Sequence, residues 1–415
     1  MITFEPFVWI SEPPQDMPFE QSRQLKGLKF LGRCSDYRIG DTIYPTWADD
    51  GNLYSPWTDG DTLGVNSSSS GFASHGIVYK DWDDAPKSWE EHDAEVARKA
   101  TTGNLVLRGD DPLHLDVEVL GLCQADPYPY GGRYPSGSLV HDGVWYYGTY
   151  CLGPYGGTPY GDFLYNWPQL GPFVGFRVST DLGKTWMDCR HKPHKPIFGE
   201  CGLGGYPIRI GSPHFVDFGK NLEHSPDGKA YLVAHGSDLK FYPPRRFEHL
   251  SWITGDQIYL IRVTPGIETI NDPNAYEFFA GYEADGTALW TTKFSDMQPM
   301  LEWQDRMGCV TVTYNAPLKK YLMAVTDGVN TCSKMHSYIL ESNSVTGPWK
   351  LVTYMRNFGE QGYFLNFPSK FISGDGRRLW LCYSGNFAPD WNGIVISENP
   401  PGSHYGLVLQ EVELM

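Results

Sequence analysis

The amino-acid sequence predicts an all-β fold, a five-bladed β-propeller with one short inserted helix. Three observations support this prediction. The 415-residue chain contains 46 glycines and 31 prolines, which divide it into short segments. Aromatic residues make up 15% of the chain, and many of them fall within these segments, as is typical of β-strands. A unit of strand, tight polar turn and strand recurs five times along the chain.

Each recurring unit is a hairpin followed by a further strand. The predicted hairpins are Thr42–Ala48 with Leu53–Thr58, Gly137–Val140 with Val144–Tyr150, His214–Phe218 with Ala230–His235, Cys309–Tyr314 with Lys320–Thr326, and Ser369–Ile372 with Arg378–Ser384. The predicted outer strands are Gly76–Lys80, Val174–Thr180, Gln257–Val263, Ser337–Ser342 and Tyr405–Leu414. Radial repetition of small sheets protects strand edges, so five hairpins imply five blades. The alternative is a β-sandwich with a second domain.

No low-complexity linker divides the chain, which predicts a single domain over residues 1–415. The approximate blades are 30–110, 111–190, 200–265, 275–352 and 353–415, with an N-terminal strand closing the ring. The one predicted helix runs from Trp89 to Ala100. Ser88 and Glu91 form a capping box at its start, and Gly103 follows its end.

The segment from Ser179 to Trp186 has the complete pattern Ser-x-Asp-x-Gly-x-Thr-Trp. This pattern is similar to the Asp-box of sialidases and other propellers, where its role is structural. Ser179 and Asp181 would bond the turn backbone, Gly183 would adopt a positive φ, and Trp186 would pack between sheets. A related Gly-Pro-Trp turn is expected at Gly347–Trp349.

Composition excludes several classes of function. The formal net charge is −16, so no basic stripe is available for a nucleic-acid backbone. No apolar run has the length of a membrane span. The first residues lack a basic and then apolar leader, so we expect a cytoplasmic protein, or a secreted one whose signal peptide is absent from this chain. The eight scattered cysteines are expected to be free thiols.

Hairpin geometry indicates where chemistry could occur. The residue before the first strand and the residue after the second lie at the same end of a hairpin. Asp41 is therefore expected opposite Gly60, so that Asp41, Asp59 and Asp61 converge at one mouth of blade one. The same reflection brings further polar residues of the other blades to this mouth: Arg133, Tyr150, Ser212, His214, His235, Asp238, Asp305, Arg306, Asp327, Asn366 and Ser384, with Glu360 behind them.

Paired carboxylates in an aromatic funnel suit the hydrolysis of a glycosidic bond. Asp41 would be the general base or nucleophile and Asp59 its carboxylate partner, with Asp305 or Glu360 as the reserve acid. The expected substrate-binding residues are Trp47, Trp57, Arg133, Tyr150, His214, His235, Arg306 and Asn366. Aspartates at strand ends are also common turn formers. Two other functions remain open, a non-catalytic carbohydrate-binding propeller and a polysaccharide lyase with a His or Tyr base and an arginine.

The segment from Asp41 to Gly60 resembles the first blade of a bacterial family of uncharacterised domains and candidate secreted hydrolases. Some relatives of that family are endo-D-arabinanases. The segments Arg133–Leu139, Gly143–Tyr150 and Trp252–Leu260 add to the likeness, and the chain is more distantly similar to five-bladed arabinanases, xylosidases and invertases. The resemblance implies a hydrolytic role for Asp41 and Asp59. No cofactor is expected, and a structural calcium ion in the central channel stays open.

Overall fold

The computed structural model describes residues 1–69, 100–127, 130–152, 170–202, 207–241, 250–328, 334–385 and 397–415. These residues form five small sheets in a ring, which confirms the predicted five-bladed propeller. The predicted helix, apart from Ala100, and the predicted strand Gly76–Lys80 lie outside the described residues. Ala100 itself begins a strand.

The chain begins with three strands that complete the last blade: β1 (Ile2–Thr3), β2 (Phe7–Val8) and β3 (Leu28–Cys34). Blade one contains β4 (Thr46–Trp47), β5 (Leu53–Trp57), the small hairpin of β6 (Gly60–Thr62) and β7 (Val65–Ser67), β8 (Ala100–Arg108) and β9 (Asp116–Ala125). Blade two contains β10 (Gly132–His141), β11 (Val144–Leu152) and β12 (Leu170–Ser179).

Blade three contains β13 (His214–Phe215), β14 (Ala230–Gly236), β15 (Gln257–Val263), β16 (Tyr276–Tyr282), β17 (Ala288–Thr291) and β18 (Leu301–Glu302). Blade four contains β19 (Val310–Asn315), β20 (Lys320–Asp327), β21 (His336–Ser342) and β22 (Lys350–Met355). Blade five contains β23 (Tyr363–Asn366), β24 (Arg378–Ser384) and β25 (Val408–Leu414). Short 3₁₀ helices occur at Lys220–Leu222, Leu239–Phe241, Pro273–Ala275, Phe294–Asp296 and Ser369–Phe371.

The ring closes through antiparallel pairing of β3 with β25, in which Phe30 lies opposite Val412. Phe30 is fully buried and stacks on Phe7, with ring centroids 5.2 Å apart. It also packs against Trp9 at 5.6 Å. Residues from both ends of the chain therefore form one apolar cluster, and burial of this surface stabilises the closed ring.

Two blade boundaries differ from those predicted. Strand β9 pairs with β8 along its whole length, so it is the outer strand of blade one, although it was expected in blade two. Strand β16 pairs with β15 and therefore belongs to blade three, although it was expected in blade four. Long connections after the hairpins shifted the predicted boundaries, because the repeat has no fixed period.

The predicted strand Ser369–Ile372 is wrong. Ser369–Phe371 forms a 3₁₀ helix, and β23 takes the innermost position of blade five. The carboxylate of Asp217 accepts hydrogen bonds from the Ser369 main-chain N–H at 2.7 Å and from its hydroxyl at 2.6 Å. Such local side-chain bonds compete with strand pairing.

The Asp-box forms the turn expected from its sequence. The Ser179 hydroxyl accepts a hydrogen bond from the Gly183 N–H at 2.8 Å, and Gly183 has a φ of 91°. The Asp181 carboxylate accepts a bond from the Thr185 hydroxyl at 2.6 Å. Trp186 packs on Trp145 of blade two, with ring centroids 5.2 Å apart. The motif therefore stabilises the fold and lies away from the predicted mouth.

The seven described cysteines are all free thiols, in agreement with the sequence expectation. Within the part of the chain that the structure describes, no helix is long and apolar enough to cross a membrane.

Replacement of Phe30 by alanine tests the closing cluster. Phe30→Ala removes a fully buried ring between β25 and the N-terminal strands, so we expect the free energy of unfolding to fall by about 3–5 kcal/mol. Chemical denaturation followed by tryptophan fluorescence measures this change. The control is Lys26→Ala, an exposed side chain outside β3, which should change the unfolding free energy by about 0.5 kcal/mol or less. Equal effects of the two variants would contradict the proposed importance of this cluster.

Candidate active site

Asp41 and Thr58 form a pair of main-chain hydrogen bonds at the mouth end of blade one. The Asp41 N–H donates to the Thr58 carbonyl at 2.9 Å, and the Thr58 N–H donates to the Asp41 carbonyl at 3.0 Å. The sequence placed Asp41 opposite Gly60, which is two residues from the observed partner. Asp59 follows Thr58 directly, so the main chain brings the two aspartates to the same end of the hairpin.

The Asp41 carboxyl group is buried among hydroxyl groups. Its Oδ1 accepts a hydrogen bond from the Thr42 hydroxyl at 2.8 Å, and its Oδ2 accepts one from the Tyr363 hydroxyl at 2.7 Å. The Tyr405 hydroxyl also contacts the Asp41 side chain and donates to the Asp59 carbonyl oxygen. Tyr363 begins the innermost strand of blade five, so a neighbouring blade holds this carboxyl group in place.

The Asp59 carboxyl group has a different set of partners. Its Oδ1 accepts a hydrogen bond from the Ser69 main-chain N–H at 2.7 Å. Ser69 is itself held by a hydrogen bond between its hydroxyl and that of Thr58. Asp59 is half-buried, whereas only 7% of the Asp41 surface is exposed. As a whole residue, Asp59 is therefore more exposed than Asp41.

Three residues at or beside the two aspartates have a positive φ. Asp59 has a φ of 44°, Thr42 a φ of 63° and Phe364 a φ of 57°. This left-handed region is unfavourable for residues with a side chain, and it persists only where the surroundings impose it. Strained residues of this kind occur at functional sites as well as in turns, and the positive φ of Asp59 is compatible with a functional role.

Burial raises the pKa of both carboxyl groups, and repulsion from Asp59 raises that of Asp41 further. Burial raises the pKa of Asp41 to about 8, the charge of Asp59 adds to this rise, and the hydroxyls of Tyr363 and Thr42 oppose it. Burial raises the pKa of Asp59 to about 6, and the Ser69 N–H opposes that rise. Neither carboxyl group forms an ion pair with any described residue. Near neutral pH the Asp41 carboxyl group therefore holds a proton more tightly than that of Asp59 does.

Aromatic rings surround the two carboxyl groups. Tyr134 and Tyr150 of blade two lie with ring centroids 5.9 Å apart. Burial, and after it the charges of the two aspartates, raises the pKa of Tyr134 well above its usual value. On the opposite side, Trp252 packs edge-on against Tyr363 at 5.2 Å. Tyr150 was predicted at the mouth, and the structure brings it there.

The two histidines predicted at the mouth, His214 and His235, are buried inside the ring. His214 faces Tyr44 with ring centroids 4.0 Å apart, in a small cavity of the central channel that Asn366 also lines. The His235 ring contacts the Ser251 carbonyl at 3.0 Å. Burial lowers the pKa of His214 to about 3 and that of His235 to about 4, so both imidazoles are neutral at neutral pH.

The predicted reserve acids and their neighbours form separate clusters. Arg306 pairs with buried Asp327 at 3.3 Å. The Asp305 N–H donates to the carboxylate of Asp256 at 2.9 Å. Glu360 pairs with Lys334 at 2.5 Å. None of these contacts involves Asp41 or Asp59.

The remaining predicted binding residues have structural contacts. Trp57 is fully buried in the core between blades, and Trp47 pairs with Leu53 beside the turn, at the end of the hairpin opposite Asp41. Asn366 donates to the Ile43 carbonyl at 3.3 Å and so joins blade five to blade one. Arg133 precedes Tyr134 in β10, so its side chain projects from the other face of that strand.

Sequence reasoning missed four residues that hold the two aspartates: Thr42, Ser69, Tyr363 and Tyr405. Thr42 could have been found as the neighbour of Asp41. The two tyrosines could not, because they are more than 300 positions away from the aspartates that they contact. Among the described residues, no group of three or more His, Cys, Asp or Glu side chains is arranged to hold a metal ion.

No family model matches the sequence, and no curated protein matches it. Solved structures share a similar arrangement at low identity. A candidate hydrolase of Bacteroides ovatus has a TM-score of 0.47 and 11% identity, with 97% of this chain and 96% of that chain covered. The GH43_1 enzyme of Xanthomonas citri has a TM-score of 0.45 and 14% identity, with coverage of 91% and 88%. The catalytic domain of the Coprinopsis cinerea GH62 α-L-arabinofuranosidase has a TM-score of 0.42 and 11% identity, with coverage of 98% and 97%. At these scores the likenesses assign no activity to this chain.

The raised pKa of Asp41 predicts a particular dependence of stability on pH. Between its ordinary pKa of 3.8 and about 8, the folded protein holds a proton that the unfolded chain has released. Stability therefore falls as pH rises through this window. Asp41→Asn cannot ionise, so we expect it to be more stable than the wild type by about 1 kcal/mol or more near pH 8, and less so near pH 5. Thermal unfolding at several pH values measures the difference.

Asp50→Asn is the matched control for this experiment. Burial raises the pKa of Asp50, but hydrogen bonds from Asn52 and Tyr54 lower it more, so the net pKa lies below the ordinary value. The ionised Asp50 then contributes its full stabilisation above about pH 4. Asp50→Asn should therefore lower the free energy of unfolding by the same amount at every pH from 5 to 8. A pH-independent effect of Asp41→Asn would contradict the raised pKa.

Proposed function

We propose that this protein is a glycoside hydrolase whose reacting groups are Asp41 and Asp59. The observation that supports the proposal most strongly is a pair of carboxyl groups with raised pKa values. Main-chain bonds between Asp41 and Thr58 bring the two aspartates to one end of a hairpin, at a mouth lined with aromatic rings. Glycoside hydrolysis needs one protonated and one ionised carboxyl group on either side of the scissile bond. Two like charges without a cationic partner supply that combination, because both cannot ionise easily.

The hydrogen-bond partners divide the two roles. The partners of Asp41 are hydroxyls, which can donate to a carboxylate or accept from a carboxylic acid, so this group can hold the proton without losing them. Asp59 accepts from a main-chain N–H, which favours its ionised form. Asp41 is thus the general acid and Asp59 the carboxylate. This division reverses the roles expected from the sequence, in which Asp41 was the base or nucleophile.

In the proposed reaction, Asp41 donates its proton to the glycosidic oxygen as the bond to the anomeric carbon breaks. Asp59 either removes a proton from an attacking water or itself bonds to the anomeric carbon and is later released by water. A separation of about 5–5.5 Å between the reacting oxygens goes with retention, and about 6.5–9.5 Å with inversion. The stereochemistry of the first product, observed by proton NMR, distinguishes the two routes.

The resemblance of the segment from Asp41 to Gly60 to relatives of endo-D-arabinanases suggests a pentose polymer as the substrate. D-arabinan is therefore the first substrate to test, with L-arabinan and xylan beside it. A lyase would need a cation to neutralise a uronate and an available base. His214 and His235 are both buried, and burial raises the pKa of Tyr134 and Tyr150 well above the usual value. Arg133 projects from the strand face opposite that of Tyr134, so the described residues favour hydrolysis over elimination.

Replacement of either aspartate should stop turnover without unfolding the protein. We expect Asp41→Asn and Asp59→Asn each to lower kcat on the cleaved polymer by about 10²–10⁴-fold, since each loses a proton-transfer group or nucleophile. Release of reducing ends measures activity. The control is Asp61→Asn, because exposed Asp61 accepts a hydrogen bond from the Gly64 N–H of its own turn and contacts neither Asp41 nor Asp59 through a hydrogen bond between described residues. Wild-type activity in both Asp41→Asn and Asp59→Asn, on a substrate that the wild type cleaves, would refute the proposal.

Tyr363 should set the pH range of activity. Its hydroxyl donates to Asp41 and lowers the pKa of that group, so Tyr363→Phe should raise that pKa further. We expect the alkaline limb of kcat/KM to move up by about one pH unit, because a hydrogen bond to a charged group contributes about 1.5–3 kcal/mol. Tyr276→Phe is the control, since this buried tyrosine donates to the Ile270 carbonyl in blade three. An unchanged alkaline limb in Tyr363→Phe would show that Asp41 is not the acid.

A further inference from the structure

A second polar cavity lies between blades one and two. Strand β9 and the residue that follows it contribute one wall, with Gln124, Ala125 and Asp126. Blade two contributes Arg133, Thr149 and Arg177, and the segment after blade two contributes the rest of the lining: Asp188, Cys189, His191 and Lys192. The space amounts to about 60 Å³ and is partly open to solvent. A cavity of this size accommodates a small ion or one substituent of a larger molecule.

Two arginines in this cavity are almost fully buried. Arg133 and Arg177 are each 6% exposed, and neither forms an ion pair with a carboxylate among the residues that the structure describes. A buried charge is unfavourable unless it is paired or fully hydrogen-bonded. Buried arginines therefore usually pair with a carboxylate or another anion. Asp126 and Asp188 line the same cavity, but neither arginine forms an ion pair with a described side chain.

The hydrogen bonds of the two arginines leave donors unused. The Arg133 Nε donates to the Thr149 hydroxyl at 2.8 Å, and its Nη1 donates to the Asp126 carbonyl at 3.1 Å. Arg177 donates one Nη2 bond to the Thr102 hydroxyl, while its Nε is buried and has no acceptor. A guanidinium carries five N–H donors in a planar fork that matches an oxyanion.

Stacking accounts for part of the Arg177 environment. Its guanidinium carbon lies 4.0 Å from the centre of the Tyr147 ring and 5.5 Å from that of Trp186. Such contacts stabilise a cation and hold its plane in position, but the Nε still has no acceptor. The fork of Arg177 is therefore fixed in place with a donor free.

The other ionisable groups of the cavity are arranged around its opening. Lys192 and Asp188 are exposed, Asp126 is half-buried, and His191 contacts the Asn271 carbonyl at 2.8 Å. Three cationic side chains thus oppose two carboxylates, and the arginines lie deepest. This arrangement favours a small anion inside and disfavours a cation.

We propose that this cavity between blades one and two binds an oxyanion, a sulfate or phosphate group, through Arg133 and Arg177 with Lys192 at the opening. The group is either a free inorganic ion or a substituent of a carbohydrate. The site is separate from Asp41 and Asp59, because Arg133 projects from the face of β10 opposite to that of Tyr134. It does not depend on hydrolytic activity.

Binding can be measured on the full-length protein by titration calorimetry at constant ionic strength. The ligands are inorganic sulfate, inorganic phosphate and glucose 6-sulfate, with glucose as the uncharged comparison. We expect saturable binding of at least one anion and none of glucose. Saturable binding of sulfate or phosphate would identify a free inorganic anion as the ligand. Saturable binding of glucose 6-sulfate alone would identify an anionic substituent of a carbohydrate as the ligand. The absence of saturable binding for all three anions overturns the proposal.

Three variants locate the binding. Arg177→Gln removes the guanidinium whose buried Nε has no acceptor and should weaken binding about tenfold or more. Lys192→Gln changes an exposed side chain, so the variant should fold normally, and it should weaken binding several-fold. This variant tests the proposal even if Arg177→Gln fails to fold. The control Arg108→Gln removes the same charge from a partly exposed arginine of blade one that pairs with Glu118. Equal affinity in Lys192→Gln and Arg108→Gln overturns the proposal. The variant Asp59→Asn should bind the anion as the wild type does, which separates this proposal from the hydrolytic one.

Discussion

A ring of five blades has to join its last blade to its first, and the candidate site depends on that junction. Asp41 and Asp59 lie at the mouth of blade one. The hydroxyl that bonds the Asp41 carboxyl group belongs to Tyr363, the first residue of the innermost strand of blade five. Blade five is itself completed by β3 from the start of the chain, which pairs with β25. The position of the Asp41 carboxyl group is therefore fixed by contacts between the two ends of the sequence.

Much of the fold could be predicted from the sequence, because its signals are local. Tight turns and aromatic strands predicted four of the five inner hairpins at or close to their observed positions, such as the one around Gly143. The Asp-box turn also forms as expected. The fifth hairpin was displaced because the contacts of Ser369 with Asp217, 152 positions away, replace a strand with a 3₁₀ helix. Blade boundaries also shifted, since only strand pairing shows that β9 belongs to blade one.

The candidate site could be predicted only in part. Reflection across one hairpin brought Asp41 and Asp59 together, because both lie within 20 residues and share one pair of strands. The same rule predicts at which end of a blade a residue lies, but it does not predict the direction in which its side chain projects. Arg133 illustrates this limit, since it occupies the mouth end of β10 and yet faces the cavity between blades. Trp57 also lies at the mouth end, but its ring fills the space beside Gly103 and is buried.

The two carboxyl groups destabilise the fold in which they occur. They are buried or half-buried, they repel each other, they form no ion pair with a described residue, and Asp59 also has a strained backbone. An aspartate that only forms a turn does not need a raised pKa. Asp50 is an example, since it lies in a turn and its pKa is lowered. The unfavourable electrostatics of Asp41 and Asp59 therefore distinguish them from the many aspartates that only form turns. Large apolar clusters between the blades offset this destabilisation, so the ring can hold a proton on Asp41 that an exposed aspartate would release.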